Sequence, residues 1–210
     1  TATLLADGVA ADKAGWQLTI HAIGGNSNSV ALDVFEKIAK ANGPRERRWQ
    51  IEHATGVRDA DIHRFKELGV VASMQPYLFG GVFGADAIYY RRMFENALVV
   101  AFGSDAPMTE FNPMLGVYAA VLGGVGIGDS IDRGPITIEE AVRAYTAGSA
   151  YGEFTDGVKG TLSVGKYADF VILSDDIFEL DIARIPDVEV VKTVVAGQVV
   201  YSIDQNNGQQ

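Results

Sequence analysis

The chain contains no cysteine. That excludes disulfides and thiolate metal sites and leaves imidazole and carboxylate as the metal ligands available. It has no apolar run approaching the roughly 20 residues that span a bilayer, so no membrane partner is expected. Positive charge is scarce: 17 Lys and Arg stand against 27 Asp and Glu, for a net charge of −10. A nucleic-acid backbone or an anionic lipid surface is a poor partner for such a balance. Histidine is rarer still, three residues in 210, so the position of each is informative. No basic, apolar leader opens the chain. Its first residues read as the interior of a domain, and a cytoplasmic protein whose N-terminus lies further upstream is expected.

What is present is a sequence able to bury a core, with 48% hydrophobic residues. Residues 3–14 have a helical pattern with Leu4, Leu5, Val9 and Ala10 on one face. A strand is expected over 16–21, then a helix capped by Asn28 or Ser29 and running to about Ala41. Asn42-Gly43-Pro44 stops it. Strand 48–53 is followed by a helix opened by Asp59 or Asp61 and ended by Gly69. Strand 70–75, a helix over 85–96 and strand 98–103 continue the alternation. Asn112 and Pro113 make a matched helix start, and Thr137 with Glu140 makes a capping box for a helix to about Ala147. Four alternations of helix and strand imply a parallel sheet with helical crossovers. After residue 160 the texture becomes β-rich, at 168–173, 190–195 and 198–201, with Ala196-Gly197 as a tight hairpin. The expected organisation is 1–158, 159–203 and a polar tail 204–210.

Three side chains close successive apolar runs: His21 after Leu18-Thr19-Ile20, His53 after Trp49-Gln50-Ile51-Glu52, and Asp105 after 98–104. One buried histidine is ordinarily a hydrogen-bonded core residue. Two histidines and an aspartate at equivalent strand ends suggest instead a site at the C-terminal mouth of a (β/α) barrel. Neutral imidazole there is a good ligand for zinc or a related divalent ion, and Asp105 would sit beside the pair. The chain is too short for a whole barrel. By strand alternation His21 shares a face with Thr19, and His53 shares one with Ile51. Glu52 is then expected on the opposite, helix-facing side, paired with an arginine such as Arg48. His63 falls within a helix and reads as a surface residue. The glycine-rich stretch 123–128 lacks the Lys-Ser/Thr of a phosphate loop and reads as a plain loop.

The segments TIHAIGG (19–25), WQIEHA (49–54), GVVASMQP (69–76), VAFGSDAP (100–107), NPMLGVYAAV (112–121), ITIEEAVRAYTAGSA (136–150), KGTLSVGKYADFVILSDDIF (159–178) and VKTVVAGQVVYS (191–202) resemble, in order, the C-terminal part of a metal-dependent amidohydrolase. The branch they resemble includes N-substituted formamide deformylase-like enzymes. The resemblance implies an α/β fold: the C-terminal half of a (β/α)8 TIM barrel, strands five to eight, plus a small β-sandwich contribution. It implies that His21 and His53 are metal ligands on strands five and six. Asp105, on strand eight, is implied as the catalytic base that also touches the metal. One or two divalent ions, zinc first among them, would be held. The His-x-His of strand one and the bridging residue of strand four have no counterpart here. Gly25 and Gln50 stand where many relatives carry Asp and Arg.

The implied activity is hydrolysis of a carbon–nitrogen bond, a non-peptide or cyclic amide, in a small-molecule substrate, with this chain inactive alone. The alternatives are a folded, non-catalytic half-barrel and a hydrolase of esters or phosphoesters. Four parallel strands cannot close a barrel, so an inner face including Thr19 and Ile51 is expected to be covered, either by a second copy in a homo-oligomer or by a missing N-terminal half.

Overall fold

The apolar runs become strands because they carry β-branched or small residues and are bounded by glycine, proline or polar turns. The computed structural model describes residues 2–78, 90–123 and 134–206. Its first part alternates α1 (Ala2–Lys13), β1 (Thr19–Ile23), α2 (Gly25–Asn42), β2 (Gln50–Thr55), α3 (Asp59–Leu68), β3 (Val71–Met74), α4 (Tyr90–Glu95), β4 (Val100–Phe102) and α5 (Pro113–Val121). The four strands pair in chain order, all parallel. Ile20, Ile51, Ala72 and Val100 share a row across the sheet, and so do Thr19, Gln50 and Val71 on the other side.

The first row faces the helices. Ile51 and Ala72 are fully buried there, with Leu32, Phe35 and Phe65 from α2 and α3. Phe35 stacks on Trp49 with ring centroids 4.7 Å apart. The opposite face is open at β1, where Thr19, His21 and Ile23 are all exposed, and is covered at Val71 of β3, which is fully buried. This corrects the expected inner face. Thr19 belongs to it, whereas Ile51 is packed under the helices, because the sheet register makes Ile51 a partner of Ile20.

Two helix starts differ from expectation or refine it. α2 begins at Gly25, three residues before the expected Asn28 cap, with Gly24 as N-cap. Asn28 is buried inside the helix, where its amide donates to the carbonyls of Gly24 and Thr55, so its polarity is spent on tying α2 to β2. α3 opens at Asp59 and ends at Gly69, which adopts the left-handed φ of 62° that glycine tolerates.

Asn112 caps α5 by accepting from Met114 N, with Pro113 in the first turn. The Thr137–Glu140 capping box is present at α6 (Ile138–Arg143). Beyond it the helix does not stay regular. Residues Ala144–Gly148 form a π turn before α7 (Ser149–Gly152). The Ser149 hydroxyl donates to Ala144 O, and also to Phe102 O of β4, which supports the wider turn. Of the expected helix 85–96, α4 is seen and 85–89 lies outside the described residues, as does most of the glycine-rich stretch 123–128.

β5 (Phe170–Leu173), β6 (Val190–Val195) and β7 (Gln198–Ser202) form a separate antiparallel sheet. The hairpin between the last two uses positive φ at Ala196 (50°) and Gly197 (77°), as a two-residue turn of this hand requires. A 3₁₀ turn, Ile182–Asp187, joins β5 to β6 and packs against α5. A short α8 (Ile203–Asn206) follows β7 where a polar tail was expected. Among the described residues no helix is long and apolar enough to cross a membrane.

Candidate metal centre

His21 is the third residue of the five in β1, and His53 the fourth of the six in β2, so each strand runs two residues beyond its histidine. By simple alternation the two would face opposite sides, since Ala22, not His21, is the register partner of His53. The chain resolves this with a bulge. His53 and Ala54 both adopt left-handed backbone, with φ of 74° and 45°, and the register slips between Ala22 and Ile23. Such φ values cost roughly 1–2 kcal/mol per non-glycine residue, and bulges of this kind re-aim side chains beside functional sites. The imidazole of His53 is thereby turned to the open face. Its Nε2 lies 3.1 Å from Nδ1 of His21, with ring centroids 4.5 Å apart and the rings nearly perpendicular.

The other ring nitrogen of His53 is 2.7 Å from Oε1 of Gln75. Gln75, just past β3, is buried, and its Nε2 donates to Oε1 of Glu52 at 2.7 Å. Ser73 Oγ donates to the same carboxylate oxygen, also at 2.7 Å. Glu52 therefore lies on the open face with His21, its row neighbour, and not on the helix side. Arg48, its expected partner, pairs with Glu46 and Asp156 instead. The expectation failed because the bulge shifts His53, not Glu52, out of alternation. Gln75 and Glu52 were missed as site residues. The signal was there: Ser73 and Gln75 are polar at alternate positions of an otherwise apolar strand.

Asp105 lies three residues beyond β4 and is exposed. It too has left-handed backbone, with φ of 60°, and its carbonyl accepts from Met108 N. Among the described residues no three His, Cys, Asp or Glu side chains gather closely enough to hold a metal ion. The structure thus brings His21 and His53 together as a pair and does not gather Asp105 with them into one such cluster. His63 is an exposed residue of α3.

The pair fits a divalent ion. Two nitrogens on a tetrahedral zinc, each at about 2.0–2.1 Å, would be about 3.3 Å apart, close to the 3.1 Å found here. A ligating histidine commonly gives its second nitrogen to a fixed hydrogen-bond partner, as His53 does to Gln75. Two imidazoles supply half of a four-ligand set.

Comparison with known proteins gives the family of the chain. The amidohydrolase family model matches residues 9–201. Protein LONG AFTER FAR-RED 3 of Arabidopsis thaliana is 36% identical over 207 residues, covering 92% of this chain and 35% of that protein. N-substituted formamide deformylase of Arthrobacter pascens is 24% identical over 206 residues, covering 92% of this chain and 38% of that one. A solved structure of an uncharacterized metal-dependent hydrolase from Pyrococcus horikoshii OT3 superposes with a TM-score of 0.73 at 28% identity, over 87% of this chain and 38% of the other. The chain spans little more than a third of the length of the curated relatives it matches. The family match runs over residues 9–201 and so takes in both sheets, which makes the chain a member of the amidohydrolase family.

Proposed function

We propose that this chain is the C-terminal half of a (β/α)8 barrel, with part of its β-sandwich, from a hydrolase that cleaves a non-peptide or cyclic amide bond in a small molecule. The observation that carries the reading is the facing pair His21 Nδ1 and His53 Nε2, 3.1 Å apart, on the open side of a parallel sheet. His21 and His53 would hold a divalent ion, zinc first among candidates because imidazole suits it. Such an ion acts as a Lewis acid and activates water at neutral pH. The chain's own part is to hold two ligands in fixed orientation and to offer Asp105 as the base. Exposed in the loop after β4, that carboxylate can accept a proton from the attacking water and return it to the leaving nitrogen.

The remaining ligands and the substrate pocket belong to segments that the longer relatives have beyond this match, so the isolated chain is expected to be inactive. Hydrolysis is best tested in the protein at its natural length, zinc-loaded, against N-formyl and N-acyl amines, cyclic amides, esters and phosphoesters. Amide turnover that falls roughly 10²-fold or more in Asp105→Asn, with zinc retained, is the expected result. Unchanged turnover in that variant would remove Asp105 from the role. Activity on the esters or phosphoesters alone would reassign the bond cleaved.

A further inference from the structure

We infer that Glu52 and Gln75 are positioning residues that fix the tautomer of His53, so that its Nε2 presents a lone pair to the ion. This rests on the metal-site reading above and deepens it. An ionised carboxylate only accepts hydrogen bonds. Oε1 of Glu52 lies 2.7 Å from the Gln75 side chain, so the amide must turn its NH2 toward Glu52. Its carbonyl oxygen is then left facing Nδ1 of His53, 2.7 Å away. A carbonyl oxygen also only accepts, so Nδ1 must carry the proton. Neutral imidazole has one protonated nitrogen, so Nε2 is the unprotonated one, 3.1 Å from Nδ1 of His21.

The relay is well placed to hold its setting. Gln75 is 3% exposed and His53 is 5% exposed, so water competes little for these bonds. Ser73 anchors the carboxylate from a second direction. The strained bulge at His53 and Ala54 puts the ring where Gln75 can reach it. Without Glu52 the amide could flip and offer NH2 to His53, which would move the proton to Nε2 and block ligation.

The test uses the purified protein, whose three histidines make nitrogen-15 imidazole spectra simple to assign. In the metal-free wild type, His53 should be protonated at Nδ1. Glu52→Gln, nearly isosteric, should give a mixture of tautomers and weaken zinc binding about tenfold. Gln75→Leu should weaken it roughly 10–100-fold, the usual effect of losing such a support. The exchanged double variant, Glu52→Gln with Gln75→Glu, rebuilds the same polarity. Its Nδ1–H signature and an affinity within about threefold of wild type should return. A merely structural role would predict no rescue by the exchange. Singles that keep both tautomer and affinity, or a double variant no better than the singles, would overturn the inference. If the wild type binds no zinc yet shows the Nδ1–H signature, and Glu52→Gln loses it, the relay stands and the metal reading falls.

Discussion

The carboxyl of Asp12 is fully buried, yet its charge is well supported. Burial pushes its pKa upward, but hydrogen bonds from Arg47, Asn42 and Arg45 outweigh that and lower it to about 2. Arg47 Nε lies 2.9 Å away and is itself almost wholly buried. A carboxylate depressed in the folded state stabilises the fold at pH above its ordinary value, and that stabilisation is lost as pH falls toward the folded value. The depression corresponds to about 2 kcal/mol. Urea unfolding of wild type and Asp12→Asn should therefore differ most near pH 6 and converge between about pH 4 and 2. A gap that does not narrow would contradict the assignment. The same residue scale shows what the sequence made legible. His21 and His53 stood out because histidine is rare and both close apolar runs. The side of the sheet taken by Glu52 did not, because alternation is only a rule for regular strands and the left-handed backbone of His53 breaks it. That break leaves no mark in residue type, as neither His53 nor Ala54 is glycine.

At the scale of elements, local chemistry was the better guide. The Asn112 cap, the Thr137–Glu140 box, Gly69 and the Ala196-Gly197 hairpin were all readable, because each depends on hydrogen bonds or φ values within a few residues. The π turn at Ala144–Gly148 was not, since it depends on what lies beneath it. Tyr145 meets Phe102 with ring centroids 5.4 Å apart, and Gly148 lies directly on β4. A Cβ added at Gly148 would fall 2.1 Å from Val100 O, so one element must move. Gly148→Ala is expected to destabilise the protein by roughly 1–3 kcal/mol, the usual cost of overpacking a core, with a matching fall in the urea midpoint. A midpoint equal to wild type would show that the turn and β4 do not press on each other.

For the molecule as a whole, the two sheets differ in what they expose. The inner face of the parallel sheet carries polar Thr19, His21, Gln50 and Glu52 more than apolar residues. The larger apolar exposure is on the antiparallel sheet, where Val171, Val199 and Val200 are each more than half exposed. Exposed apolar side chains of this kind favour association. The 210-residue chain purified alone is expected to self-associate, with sedimentation velocity reporting dimers or larger species. A compact monomer at high concentration would show that neither sheet needs a cover. Whether the two imidazoles hold the ion is read from zinc-edge X-ray absorption of the zinc-loaded protein at its natural length. The expected shell contains imidazole nitrogens at about 2.0–2.1 Å, with two of them lost in the His21→Ala, His53→Ala double variant. An imidazole contribution unchanged in that variant would contradict it.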